Sequence, residues 1–162
     1  VVLYRDLEEV IASFIHWSEN NKPNFLDNST DGTYESKAAH VMRTDSEIWR
    51  DYWSIKGAKD SGFPCFFIEY KDLVTHTPDV ISSLYEFLEI DSYDHDYEKL
   101  NLFNIDGIKY DDTFVGSNLH TIRTNGIQFN KYNLDKYLSK DILNICRTLN
   151  FWKDGSLRKT WC

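Results

Sequence analysis

"VVLYRDLEEVIASFIHWSE", residues 1–19, sets a short unbroken apolar run directly against an amphipathic segment. Val1 to Tyr4 has the character of a strand buried on both faces in a parallel sheet. Asp6 stands at a helix N-cap position, and Leu7, Val10, Ile11, Phe14 and Ile15 recur at helical spacing. A strand passing straight into a helix predicts one unit of an α/β fold. Arg5 falls at the junction, where the carboxyl end of a strand meets the positive end of a helix dipole and ligands bind in such sheets. Its guanidinium is a fork of donors matched to phosphate oxygens, and Ser13, eight residues on, can present a hydroxyl on the same side. On the residues alone a second reading stays open, in which Arg5 pairs with Glu8 or Glu9 at the surface and Ser13 is an ordinary helix residue.

Farther along, "CFFIEYKDL" (65–73) is a second apolar run rich in strand formers. Thr77-Pro78-Asp79 then marks a helix start, with Val80, Ile81, Leu84, Phe87 and Leu88 at helical spacing behind it. Between the two units, "NNKPNFLDNSTDGT" (20–33) has the composition of a loop. Apolar positions from Ala38 to Ile55 predict one long helix over 34–59, or two broken near Thr44-Asp45, ended by Gly62 and Pro64. Residues 91–116 carry no sustained period. Leu134, Leu138, Ile142, Ile145 and Leu149 predict a terminal helix with one apolar face. There is no internal repeat, and the whole of 1–162 is expected to form one domain with one core.

Composition narrows the function classes. With 41% apolar and 15% aromatic residues the chain is globular rather than disordered. Eighteen Lys and Arg against 26 Asp and Glu leave a net charge of −8, so no nucleic acid partner is expected and any anion must be bound locally. Cys65, Cys146 and Cys162 are odd in number and lack C-x-x-C spacing, and no signal peptide or membrane span is visible. A reduced, cytoplasmic chain is expected. His16, His40, His76, His95 and His120 show no ligand spacing, so no metal is expected and each is read as a surface or structural histidine.

The residues around Arg5 resemble a known pattern. "YRDLEEVIASFIHW" is similar to the 3′-phosphate-binding segment of the sulfotransferase family, of the type "RDPRDVVVSYY", with Arg5 and Ser13 on its two phosphate-binding positions. "FIEYKDLVTHTPDVISSLYEFLEID" resembles the family's strand-turn-helix of the type "YEDL…P", which implies that Tyr70 contacts the cofactor's adenine. "HTIRTNGIQFNKY" looks like a degenerate "RKGxxGxW" loop. There Arg123 matches the arginine that holds the 3′-phosphate and Gly126 a loop glycine, while Thr124 and Asn125 replace Lys-Gly and Phe129 is the substitute for the tryptophan.

The resemblance runs from Val1 to about Phe151. It implies a P-loop-like three-layer fold, a parallel sheet flanked by helices, and a transferase using 3′-phosphoadenosine 5′-phosphosulfate. The product nucleotide is adenosine 3′,5′-bisphosphate, and the acceptor is an unidentified hydroxyl or amine. The family's 5′-phosphosulfate loop is not legible in these residues. The expectation is therefore the C-terminal portion of the domain, inactive by itself and able to self-associate through the Val1–Tyr4 edge. A non-catalytic nucleotide-binding module remains as an alternative. So does a P-loop kinase, although G-x-x-x-x-G-K-[ST] is absent.

Overall fold

A computed structural model describes residues 1–21, 25–98, 104–105, 108–109, 126–155 and 157. The first strand, β1 (Val2–Tyr4), leads through Arg5 and Asp6 into α1 (Leu7–Asn20). Next come α2 (Phe25–Ser29), α3 (Tyr34–Val41) and α4 (Glu47–Asp60), and the chain returns as β2 (Phe67–Glu69). The strands pair in parallel, Val2 opposite Phe67, Leu3 opposite Ile68 and Tyr4 opposite Glu69. Beyond β2 lie α5 (Tyr70–Thr75), α6 (Thr77–Leu88), a small antiparallel pair β3 (Asn104–Ile105) and β4 (Ile108–Lys109), α7 (Leu134–Tyr137), α8 (Lys140–Leu149) and a 3₁₀ turn (Phe151–Asp154).

Of the expected parallel sheet flanked by helices, a small part is present among the described residues. The described residues are mostly helical, and their parallel sheet has two short strands. Each run is cut short for a local reason. Tyr70 already opens α5, so only Phe67–Glu69 of the second apolar run is strand. In β1 only Tyr4 is buried, while Leu3 is 50% exposed, so the strand is not covered on both faces as expected.

The core is organised on α1. Leu7, Ile11, Ala12 and Ile15 are buried together with Leu26, Ala38 and Val41 from the α2–α3 segment and Ile142, Leu143 and Cys146 from α8. Glu8 and Glu9 in the first turn complement the positive end of the α1 dipole.

Helix boundaries differ from the expectations in three places. The predicted loop at 20–33 contains α2, because Leu26 is fully buried and draws its turn into the core. The helical region after Tyr34 breaks between Val41 and Glu47, at the Thr44-Asp45 position expected, and Ser46 caps α4 by accepting from Trp49 N at 3.3 Å. The single terminal helix is two: Leu138 is extended, Ser139 caps α8 by accepting from Ile142 N, and Ile145 lies on the exposed face while Leu143 and Cys146 are buried.

Candidate functional site

The β1–α1 junction is fixed from the far end of the chain. Asp6 occupies the N-cap position of α1 without a side-chain capping bond. Its carboxylate instead accepts from Trp152 Nε1 at 3.0 Å and pairs with Lys153 Nζ at 2.6 Å. The capping work falls to Asn150, which is 3% exposed. Its Oδ1 accepts from Leu7 N at 3.0 Å, and its Nδ2 donates to buried Glu8 Oε2 at 2.7 Å. One amide thus satisfies an orphan N–H of the helix start and a carboxylate that burial would otherwise penalise. Around it, Trp152 packs on Tyr4 at 5.6 Å and on Tyr52 at 6.2 Å between ring centroids.

Arg5 is held at this junction and is only 16% exposed along its side chain. Its Nε donates to Glu9 Oε2 at 3.0 Å, and Nη2 reaches the Asn130 carbonyl at 3.5 Å. The guanidinium carbon lies 4.5 Å from the Tyr70 ring centroid and 5.6 Å from that of Tyr132. The Glu9 pair anticipated in the second reading therefore exists, but it is half-buried and engages one edge of the guanidinium. Glu9 and Ser13 stand four residues apart on one face of α1, and Arg5, which precedes the Asp6 N-cap, pairs with Glu9.

Ser13 Oγ and Tyr132 Oη share a hydrogen bond at 3.2 Å. His16, on the next turn, packs at a tilt against Tyr132 at 5.2 Å between ring centroids and meets Tyr137 Oη through Nδ1 at 2.9 Å, while Lys136 Nζ donates to that same phenol at 3.0 Å. Tyr70 faces Phe129 at 6.3 Å. The structure thus brings Arg5, Ser13 and Tyr70 together with Phe129 and Tyr132. Gly126 has a positive φ of +80° and stands against the backbone carbonyls of Tyr97 and Glu98, each 3.4 Å from where a Cβ would sit. Arg123 and His120 lie outside the described residues.

A cavity of about 260 Å³ adjoins the site, with Arg5 and Tyr70 in its wall and Tyr4, Leu7, Tyr52 and Trp152 among its lining. A larger one, about 390 Å³, opens near the α3–α4 turn and contains none of these residues. Its arginines are engaged locally, Arg43 in a fork on Asp45 and Arg50 beside Glu47. Chemically the smaller cavity is better equipped, setting the shielded Arg5 guanidinium against a mostly apolar and aromatic lining.

Tyr132 was not among the residues singled out by sequence. It follows the loop glycine by six positions, with no pattern to distinguish it from the neighbouring tyrosines. Asn150 was missed for a similar reason, since both its partners lie more than 140 positions away.

A family model for the sulfotransferase domain matches residues 1–138 of the 162. No curated protein and no solved structure matches the chain. The matched residues include Arg5, Ser13, Tyr70 and Tyr132; Asn150 and Trp152 follow them.

Proposed function

We propose, for a chain that belongs to the sulfotransferase domain family, that the Arg5–Ser13–Tyr70 site holds the 3′-phosphate and adenine of 3′-phosphoadenosine 5′-phosphosulfate. The reaction served is sulfuryl transfer to an acceptor hydroxyl or amine, and Arg123 and Gly126 belong to the same nucleotide site. The observation that carries this reading is the half-buried Arg5 guanidinium, 4.5 Å from the Tyr70 ring and paired with Glu9, one turn before Ser13 on α1.

The residues present fit such a group. Arg5 has N–H donors beyond those directed at Glu9 and Asn130. Tyr70 offers an aromatic face beside the charge, and the adjoining apolar cavity suits a flat base. When bound, the cofactor supplies a sulfuryl group that passes to the acceptor as the S–O bond to the 5′-phosphate breaks, leaving adenosine 3′,5′-bisphosphate. The work of Arg5 and Ser13 is positioning. They fix the nucleotide at its 3′ end, so the entropy of orienting the reactants is met before the chemical step.

Calorimetry with adenosine 3′,5′-bisphosphate and adenosine 5′-monophosphate tests the assignment. The bisphosphate is expected to bind more tightly. Arg5→Ala and Arg123→Ala should each weaken it about ten- to a hundredfold, as for loss of a charged hydrogen bond of about 1.5–3 kcal/mol. Equal affinities of the parent protein for the two nucleotides would refute the assignment.

A further inference from the structure

We infer that Tyr132 is a further donor to the phosphate held by Arg5 and Ser13, a binding residue of that site rather than a packing aromatic. The inference rests on the nucleotide reading above and adds a residue to it.

The geometry places this phenol across the space between the two groups. Its ring lies 5.6 Å from the Arg5 guanidinium carbon, and its oxygen lies 3.2 Å from Ser13 Oγ. An anion touching both Arg5 and Ser13 is therefore within reach of the Tyr132 hydroxyl. Ser13 and Tyr132 share one hydrogen bond in which either hydroxyl can donate, so one of the two protons is always left to turn to a ligand. The ring cannot easily turn away, because His16 packs on it at 5.2 Å and is itself held by Tyr137.

Charge gives a reason for a further donor. Glu9 already takes the Arg5 Nε–H at 3.0 Å and places a carboxylate on the helix face between Arg5 and Ser13. A dianionic phosphate at this position feels a guanidinium that is partly neutralised, with a like charge close by. Neutral hydroxyl donors stabilise the phosphate without competing for Glu9, and Ser13 and Tyr132 are two such donors side by side. Rotation of the Ser13 hydroxyl from Tyr132 to the ligand would leave both protons directed at the same group.

The test is Tyr132→Phe, which keeps the ring and removes the donor, read by calorimetry as the ratio of affinities for adenosine 3′,5′-bisphosphate and adenosine 5′-monophosphate. The expected result is a drop of about tenfold in the ratio, the lower end for a hydrogen bond to a charged group, with the monophosphate affinity unchanged. A packing role would move both affinities together or neither. If the parent prefers the bisphosphate and Tyr132→Phe keeps the full preference, the inference is overturned and the nucleotide reading stands. If the parent shows no preference, the nucleotide reading itself fails. Should Tyr132→Phe also lower the melting temperature, Tyr132→His, which retains a ring and a donor, is compared with it. Recovery of the ratio by the histidine variant supports the inference, and an equal loss in both overturns it.

Discussion

Replacing Asn150 with alanine removes two buried hydrogen bonds at the start of α1. Leu7 N–H loses its acceptor at 3.0 Å, and an unsatisfied buried amide costs about 1–3 kcal/mol. Glu8, 4% exposed, loses a charge-assisted donor at 2.7 Å, another roughly 1.5–3 kcal/mol. Lys153 Nζ at 3.8 Å and Arg147 Nε at 4.0 Å remain near the carboxylate and offset part of that loss. A net destabilisation of about 3 kcal/mol is expected, toward the upper end for a single substitution. With a urea slope of about 2 kcal/mol/M, the unfolding midpoint should fall by about 1.5 M at unchanged slope.

A paired substitution checks the mechanism. Asn150→Asp keeps the acceptor for Leu7 but sets two carboxylates against each other, so it should be at least as harmful as alanine. Adding Glu8→Gln restores a donor–acceptor match in the reverse sense and should recover most of the loss, a coupling of more than about 1 kcal/mol. A midpoint shift below about 0.3 M for Asn150→Ala would refute the account, as would a double variant no more stable than Asn150→Asp alone.

Two other outcomes follow. Tyr70→Phe should bind adenosine 3′,5′-bisphosphate nearly as the parent does, because the ring face is retained, whereas Tyr70→Ala should bind it several-fold more weakly; equal binding by all three in calorimetry would remove Tyr70 from the site. At alkaline pH the fold should weaken. Burial, with Glu8 nearby, pushes the Cys146 thiol up from 9.0 to about 11, and burial, with Glu69, Asp72 and Asp6 nearby, pushes the Tyr4 phenol up from 10.0 to about 12. Both pKa values are raised by folding, so the neutral forms contribute stability fully below pH 9. That contribution, at most about 2–3 kcal/mol per group, is lost as pH rises to 12. Urea midpoints flat from pH 9 to 12 would contradict this, with Cys146→Ala expected to remove the lower part of the decline.

Local signals were legible where neighbours in the sequence do the physical work. The two strand-to-helix units, the helix break near Thr44-Asp45 and the positive-φ end at Gly62 all follow from spacing, capping hydroxyls or backbone freedom within a few residues. Arg5, Ser13 and Tyr70 were legible through a family pattern; Arg5 lies over the Tyr70 ring, and Ser13 is joined to them through Tyr132. What was not legible depends on tertiary context. The α2 turn exists because Leu26 finds a core assembled from α1 and α3, and a polar loop composition conceals one buried leucine. The split between α7 and α8 conceals itself the other way, since the apolar spacing through Leu138 suggests continuity while Ser139 offers α8 its own cap. Asn150 and Tyr132 act on partners more than 100 positions away, where no periodicity reports them.

The parallel pairing of β1 with β2 also sets an order of events during synthesis. Val2 meets Phe67 only after the 65 residues from Leu3 to Phe67 have been made. At about 5–20 residues per second that is roughly 3–13 s. Throughout that interval Leu3, still 50% exposed in the finished fold, belongs to a strand that lacks its β2 partner. Loop closure over such a distance is slow, and unpaired strands are templates for other chains. β1 is thus most open to mispairing with other chains before β2 emerges.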